Sequence, residues 1–306
     1  MGHEHHHHDH PHEHAPARFG RAFAIGAALN IVLVAAQIAC GLIAHSTALL
    51  ADAVHNAGDV LGLLLAWGAF VLGQRRPTAR RTYGWGRGTI LAALINATVL
   101  LVGVGAIALE AGQRLLAPAA VGSGLVVGAA AAGIVVNGVT ALLFLRGQED
   151  LNIRATFLHM AADAGVSAGV VAAALVIGAT GWGWIDPLAG LAIAAMIGIS
   201  SWGVLREAAD MALDAVPGRL ARAGVRDWLA ALPGVEEVHD LHIWALSTTE
   251  VALTAHLVRT SAADDQALIR AACEGLAEHF HIGHATLQVE TAASATDCTL
   301  RPSEVV

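Results

Sequence analysis

Lysine is absent from this 306-residue sequence, in which all 17 basic residues are arginine. A Walker A phosphate loop needs its lysine, and Schiff-base chemistry needs one too. By itself, the chain is therefore neither an ATP-driven pump nor a Schiff-base enzyme. Charge is also scarce, because only 14% of the residues are charged, whereas soluble globular domains have about 25%.

Cysteine is rare as well. Cys40, Cys273 and Cys298 lie far apart and form no CxxC pair, so neither a disulfide framework nor a zinc ribbon is expected. The net charge of -8 is spread over the N-terminal tail and the C-terminal region, which argues against a nucleic-acid partner. What remains is apolar: 56% of the residues are hydrophobic, which indicates a membrane protein in contact with lipid, with a smaller soluble part.

Six apolar segments have the length, near 20 residues, that crosses a bilayer core of about 30 Å. They predict an all-α membrane domain of six transmembrane helices. The approximate bounds of the predicted spans are 21–44, 48–72, 89–111, 121–145, 154–178 and 184–205.

Arginines are concentrated in the connection between spans two and three and in the connection between spans four and five. Because positively charged loops stay in the cytoplasm, both termini are predicted to be cytoplasmic. The first span is too long for a signal peptide, and no cleavage site follows it. We expect an integral protein of a bacterial inner membrane.

The pattern changes after Arg206. The segment "RLARAGVRDWLAAL" has helical spacing, two β-rich segments and a second helical segment follow, and "HATLQVE" alternates. This order predicts a small cytoplasmic α+β domain of the αββαβ type, with one sheet and helices on one face. The predicted organisation is a histidine-rich tail at 1–17, a six-span domain at 18–207, the αββαβ domain at 208–293 and a polar tail at 294–306.

Eight histidines stand among the first fourteen residues. Such a low-complexity tail can bind metal but cannot build a core. His3, Glu4 and His7 match the HExxH pattern of metalloproteases, but no amphipathic helix surrounds them, so the match reflects histidine density. An expression tag is the alternative, disfavoured by the Glu, Asp and Pro that interrupt the run. We interpret the tail as a native metal-collecting segment.

Two predicted spans carry the same polar pair. His55 and Asp59 in span two are four residues apart, as are His159 and Asp163 in span five, so each pair projects from one helix face. Two imidazoles and two carboxylates match tetrahedral Zn²⁺ and disfavour Mg²⁺, which prefers oxygen ligands. Alternatively, these residues join helices by hydrogen bonds. Each Asp costs roughly 2.5 to 3.5 kcal/mol at mid-bilayer, which favours a balancing cation.

Further polar residues lie in the spans. Asp52, on roughly the same face as the span-two pair, is expected either to guide ions outward or to cap and solvate the helix end. Asn56 and Asn137 are candidates for outer partners of the metal ligands or for hydrogen bonds between helices. Asp186, directly before Pro187, is predicted to be the N-cap of span six.

The two HxxxD pairs in "LLADAVHNAGD" and "HMAAD", the segment "TYGWGRGTILAALINA" and the C-terminal "VHDLHIWAL" resemble the cation diffusion facilitator family, in its zinc-transporting branch. The resemblance covers about residues 18–298. It implies a homodimer in which each protomer exchanges a divalent metal for protons by alternating access. The implied transport ligands are His55, Asp59, His159 and Asp163.

The resemblance also implies that the αββαβ domain binds metal and tightens the dimer. Cys298 is a further candidate ligand there, and His242 is not included. Relatives can pair a basic residue at the position of Arg87 with an acid after span six, for which Asp210 and Asp214 are candidates. The residues that fall where the domain commonly has ligands are His239, His256, His284 and Glu290.

Exporting Zn²⁺ against an inside-negative potential costs about 2.3 kcal/mol per charge per 100 mV. Without a nucleotide site, the inward proton gradient is the available driving force. Metal binding needs neutral histidine and ionised aspartate, so protons and metal compete. We therefore expect Zn²⁺/H⁺ antiport out of the cytoplasm, with zinc also a regulatory ion, and with Co²⁺, Ni²⁺, Fe²⁺ and Cd²⁺ as alternative cargo.

Two other functions are less favoured. A passive divalent-metal channel or importer would use the same ligands, but tight four-ligand chelation argues against rapid conduction. A membrane-embedded metallo-enzyme would need an open zinc position and a general base, and no span contains a credible HExxH.

Overall fold

A computed structural model describes most of the chain, including all the residues of both candidate metal groups. The histidine-rich tail and Cys298, both singled out from the sequence, lie outside the described residues. The described residues are 19–117, 119–143, 151–259 and 265–296.

The described part of the chain before the C-terminal domain contains six long helices and the segments that connect them. The helices are α1 (Phe19–Ile43), α2 (Thr47–Gly73), α3 (Gly88–Leu116), α4 (Ser123–Leu143), α5 (Leu151–Thr180) and α6 (Ile185–Ala212). Five of them, α2 to α6, contain a segment long and apolar enough to cross a membrane, and α1 contributes a shorter apolar stretch, Ala27–Ile43. The predicted helical membrane domain is thereby confirmed.

These helices bury polar side chains and expose large apolar ones. Gln37, Asp52 and Asn137 are buried, whereas Val102 and Ile199 are exposed. Exposed apolar surface of this extent is unfavourable in water and favourable in lipid. Lipid offers no hydrogen-bond partners, so polar side chains are buried among the helices. The distribution of side chains is that of a membrane protein.

The first of two compact units comprises residues 1–60 and 117–189. In its described part, α4 packs along α5, and α1 packs against α4. Glycine allows close approach within this unit, because a Cβ at Gly41 would lie 2.8 Å from the side chain of Leu50.

Asp186 holds the start of α2 within this unit. Its carboxylate accepts hydrogen bonds from the Thr47 backbone N–H at 2.6 Å, from the Thr47 hydroxyl at 2.8 Å and from the Ser46 hydroxyl. The prediction that Asp186 caps its own helix, α6, was wrong. The carboxylate instead satisfies N–H groups in the first turn of α2, where a negative charge is also favoured by the helix dipole.

The C-terminal domain belongs to the second compact unit, residues 61–116 and 190–306. Strand β1 pairs antiparallel with β2, and β2 pairs parallel with β3, in the sheet order β1-β2-β3. The elements are α7 (Arg222–Ala230), β1 (Val235–Ala245), β2 (Val251–Arg259), α8 (Asp265–Phe280), β3 (His284–Thr291) and the short α9 (Ala292–Thr296). The predicted αββαβ order is confirmed.

The core of this domain lies where α7 and α8 pack on the sheet. Val225 and Leu229 from α7 and Leu276 from α8 are fully buried against strand residues such as Leu253 and Leu257. Apolar residues on one face of each helix and at alternate strand positions explain why these segments fold together.

Contacts also join α3 to neighbouring segments of the second unit. Arg87, just before α3, forms an ion pair with Asp214, just after α6. Of the two acids that the resemblance offered, the structure thus selects Asp214. The Thr248 backbone N–H donates a hydrogen bond of 3.0 Å to the Thr89 hydroxyl, which links α3 to the turn between β1 and β2.

Gly275 is a position where the packing of the C-terminal domain leaves no room for a side chain. A Cβ there would lie 2.2 Å from the Trp228 ring, so Gly275→Ala must displace that ring. We expect the free energy of unfolding of the C-terminal domain to fall by about 1–3 kcal/mol, the usual cost of overpacking. Hydrogen exchange of α7 and α8 in the full-length protein should accelerate. Gly283→Ala is the control, because no described residue outside its immediate neighbours lies within 4 Å of its Cβ position. Equal exchange in both variants would contradict the expectation.

Candidate functional site

The two HxxxD pairs meet between α2 and α5, within the first compact unit. His55 Nε2 lies 2.9 Å from Asp163 Oδ1 and 3.9 Å from Asp59 Oδ2. His159 Nε2 lies 3.6 Å from a carboxylate oxygen of each aspartate. The shortest contact therefore joins the two helices, and each carboxylate is shared by both imidazoles.

This group of four side chains is closed at one end and open at the other. The Asp163 side chain is 3% exposed, whereas that of His159 is 46% exposed. The two imidazole rings are nearly perpendicular, with centroids 6.2 Å apart, so they do not stack on each other. Asp163 is therefore the most enclosed of the four side chains, and His159 is the most exposed.

The donors suit a small transition-metal ion. One ligand atom each from His55, Asp59 and Asp163 lies within 4.8 Å of the other two, and His159 contacts both carboxylates. Zn²⁺ binds imidazole nitrogen and carboxylate oxygen at about 2.0–2.2 Å, so these four side chains carry the kinds of donor atom that such an ion takes.

A buried hydrogen-bonded network lies one helical turn from these ligands. Asp52 Oδ2 accepts hydrogen bonds from Gln37 Nε2 at 2.8 Å and from Ser167 Oγ at 3.0 Å. Asn56 Nδ2 donates to Gln37 Oε1 at 2.9 Å. The network joins α1, α2 and α5. Asp52 is fully buried, so it does not solvate a helix end, which was one of the roles expected for it.

A second group of histidine and carboxylate side chains lies on the C-terminal sheet. His239 on β1 stands opposite His256 on β2, and Glu290 comes from β3. His239 Nε2 is 3.4 Å from Glu290 Oε2, and His256 Nδ1 is 3.0 Å from Glu290 Oε1. One ligand atom of each residue lies within 4.8 Å of the other two. We refer to these three residues as the C-terminal metal group.

The C-terminal metal group fits a metal ion by its unsatisfied atoms. Both ring nitrogens of His239 and Oε2 of Glu290 are buried and have no hydrogen-bond partner in the part of the chain that the structure describes. Burying such atoms costs about 1–3 kcal/mol each, and an ion bound to Glu290 Oε2 and to one ring nitrogen of His239 would remove part of that cost. Two nitrogens and one oxygen suit Zn²⁺ and related metals.

The remaining predicted ligand among the described residues, His284, lies apart from this group. It pairs with Ala252 at the opposite end of β3, and its ring is 5.4 Å from the Tyr83 ring. Cys273 on α8 was not a predicted ligand; burial and the neighbouring Glu274 carboxylate raise the pKa of its thiol, and a protonated thiol is a poor metal ligand.

Sequence reasoning missed Asp240. Its Oδ2 lies 3.5 Å from His256 Nε2, and its Oδ1 lies 2.8 Å from His242 Nε2. Because side chains alternate along a strand, Asp240 is expected to face away from His239, so the sequence pattern gave no reason to place Asp240 near the metal group. For Gln37, a polar residue in an apolar span predicts that the side chain faces another helix, but it does not identify the partner.

Apolar helices that carry a shared histidine and aspartate group define a membrane protein that handles a divalent metal ion. A family model described as the cation efflux transmembrane domain matches residues 23–211. A second one, described as the cytoplasmic domain of cation efflux proteins, matches residues 217–292. The chain therefore belongs to the cation efflux family, the cation diffusion facilitators, in its zinc-transporting branch.

Similar proteins agree with this assignment. The metal cation efflux system protein CzcD of Cupriavidus metallidurans is 34% identical over 275 residues, 89% of this chain and 87% of that protein. The zinc transporter ZitB of Escherichia coli is 34% identical over 271 residues, 88% and 86% of the two chains. The cadmium, cobalt and zinc/H(+)-K(+) antiporter of Bacillus subtilis is 32% identical over 266 residues, 84% of each chain.

These relatives are transporters, which confirms the expectation that the chain is not an enzyme. The family and the apolar helices together identify an integral membrane protein that carries out divalent-metal efflux.

Gly133 on α4 makes room for the buried network. A Cβ there would lie 2.9 Å from Ser167 Oγ and 3.1 Å from Gln37 Nε2. Gly133→Ala should therefore lower the free energy of unfolding by about 1–3 kcal/mol. The measurement is the melting temperature of the detergent-solubilised protein, which should fall. The added Cβ of Gly138→Ala on the same helix meets no atom of the described chain within 4 Å beyond its immediate surroundings, so this change should be neutral or stabilising. If Gly133→Ala melts at or above Gly138→Ala, the network does not constrain these helices.

Proposed function

We propose that this protein exports Zn²⁺ from the cytoplasm in exchange for protons, by alternating access. His55, Asp59, His159 and Asp163 hold the ion in transit. Residues 18–207 carry out transport, and residues 208–293 bind regulatory zinc and join two copies of the chain in a homodimer. The protein works in a bacterial inner membrane, with both termini in the cytoplasm.

The sharing of two carboxylates by two imidazoles carries this proposal. With neutral imidazoles, the two negative charges of Asp59 and Asp163 balance one divalent cation. With a proton on each imidazole, the same two charges are balanced without metal. Metal and protons therefore compete for one set of atoms, and each metal ion can be exchanged for up to two protons.

Charge movement favours such an exchange. A divalent ion leaving the cytoplasm opposes an inside-negative potential by about 2.3 kcal/mol per charge per 100 mV. Two protons that enter for each ion cancel this cost, so the pH gradient and the metal gradient decide the direction. The similar Bacillus protein is named as an antiporter that involves H(+), which supports proton coupling.

The choice of metal follows from the donor set. Two nitrogens and two oxygens in a tetrahedral arrangement suit Zn²⁺, and the same donors accept Co²⁺ and Cd²⁺. The names of similar proteins include zinc, cadmium and cobalt, which is consistent with that range. Ni²⁺ and Fe²⁺ are weaker candidates for the transported ion, because these names of similar proteins do not include nickel or iron.

Proteoliposomes with an acidic lumen test the transport proposal. External Zn²⁺ should enter while the luminal pH rises, and collapse of the pH gradient should slow entry severalfold. Loss of a residue that only orients a metal ligand usually lowers metal affinity or activity by about 10- to 100-fold. Asp59→Asn alters a direct ligand, so it should slow Zn²⁺ entry by at least about tenfold.

Glu110→Gln is the matched control for this experiment. Glu110 is an acid on membrane helix α3 that forms an ion pair with Arg114, and it lies outside the ligand set. Its loss should leave Zn²⁺ entry near the wild-type rate. Zn²⁺ entry that ignores the pH gradient would instead indicate a passive channel, and wild-type rates in Asp59→Asn would remove these ligands from the pathway.

The C-terminal metal group is supported by its buried, unsatisfied nitrogen and oxygen atoms. His239, His256 and Glu290 would hold the ion, which supplies a positive charge that ties β1, β2 and β3 together. Cytoplasmic metal would then bias the dimer if the ion binds one of its conformations more tightly.

Equilibrium binding of Zn²⁺ to the full-length protein in detergent tests the C-terminal site. The background variant replaces the eight tail histidines with glutamine and carries Asp59→Asn and Asp163→Asn, so that other metal ligands are silenced. We expect about one ion per protomer to remain. Glu290→Gln should weaken this binding by at least about tenfold. His284→Ala should leave this binding unchanged, because His284 lies at the other end of β3 from Glu290. Equal binding in the background variant with and without Glu290→Gln would contradict the site.

A further inference from the structure

Strand β1 has a break in its ladder beside the C-terminal metal group. The register runs from His239 paired with His256 to His242 paired with Thr254, so two residues of β1 oppose one of β2. This arrangement is a β-bulge, which redirects side chains. The first of the two residues, Asp240, has a φ of +48°, a left-handed conformation that is uncommon outside glycine.

The bulge brings two consecutive residues against one imidazole. In a regular strand, His239 and Asp240 would project from opposite faces of the sheet. Here the ring centroids of His239 and His256 are 5.1 Å apart, and Asp240 Oδ2 lies 3.5 Å from His256 Nε2. A non-glycine residue in such a conformation is strained, and it persists where its surroundings require it, often at functional sites.

The two nitrogens of His256 face different carboxylates. Nδ1 faces Glu290 within the metal group, and Nε2 faces Asp240. When Nδ1 of a neutral imidazole binds a metal, the ring hydrogen is on Nε2 and points at Asp240. A carboxylate in this position orients the ring and strengthens the ligating nitrogen.

The second oxygen of Asp240 is held separately. Oδ1 contacts His242 Nε2 at 2.8 Å, which is hydrogen-bond distance. The Asp240 side chain is largely buried, whereas that of His242 is partly exposed. His242 therefore restrains the carboxylate from the outer side and is not part of the C-terminal metal group.

We propose that Asp240 is a positioning residue of the C-terminal metal site, which accepts the Nε2 hydrogen of His256 and is itself oriented by His242. This inference rests on the proposed C-terminal metal site. The separation of 3.5 Å is long for a hydrogen bond, so the proposed role requires this contact to shorten when Nδ1 binds an ion. The strained bulge is the feature of the fold that supplies this contact.

Titration with Co²⁺ tests the inference in the full-length background variant described above. Asp240→Asn keeps the shape of the side chain and tolerates the left-handed backbone, but it removes the negative charge. Co²⁺ affinity should fall by about 10- to 100-fold. The visible absorption bands of bound Co²⁺ should also shift, because an amide oxygen accepts the Nε2 hydrogen more weakly than a carboxylate does and so holds the imidazole less firmly. Asp227→Asn, which alters an exposed acid on α7, is the control and should change neither.

Further variants distinguish the outcomes. Asp240→Gly suits the left-handed backbone but removes the acceptor, so it should weaken binding as Asp240→Asn does. Unchanged affinity and spectrum in Asp240→Asn, together with lost binding in Glu290→Gln, would overturn the positioning role and leave the metal site standing. Full binding in Glu290→Gln would overturn both. Faster hydrogen exchange of β1 in Asp240→Asn would mark a structural role and also count against the inference.

Discussion

Two carboxylates held among apolar helices must share their charge with imidazoles from another helix. Within one helix, His55 and Asp59 approach only to 3.9 Å, whereas His55 reaches Asp163 across the two helices at 2.9 Å. A single HxxxD pair therefore leaves its own carboxylate poorly satisfied, which is costly away from water. The register of the first half of α2 against α5 depends on this exchange of partners.

Contacts outside the ligand set hold these helices in that register. Asp186 caps the first turn of α2, and Asp52 connects Gln37 on α1 with Ser167 on α5. Gly133 on α4 leaves space for the last two side chains. Asp52 and Asp186 resemble additional metal ligands in the sequence, but their carboxylates instead form hydrogen bonds that position the helices around the ligands.

The C-terminal domain brings its histidines and carboxylates together by a different geometry. A spacing of four places two side chains on one helix face, whereas the sheet needs three strands to assemble His239, His256 and Glu290. Asp240 joins them only because a bulge interrupts the alternation of β1. His284 shares a strand with Glu290 and still lies at the far end of it.

Composition and periodicity by themselves determined the membrane class, the helical spans, the αββαβ order and the two HxxxD pairs, because these properties depend on spacing along one segment. The tertiary structure alone decided which residues meet. Asp163 contacts His55, Asp186 caps α2 rather than its own helix, and Asp214 is the partner of Arg87. Spacing specifies the face on which a side chain lies, but its partner across that face depends on how helices pack and where a strand bulges.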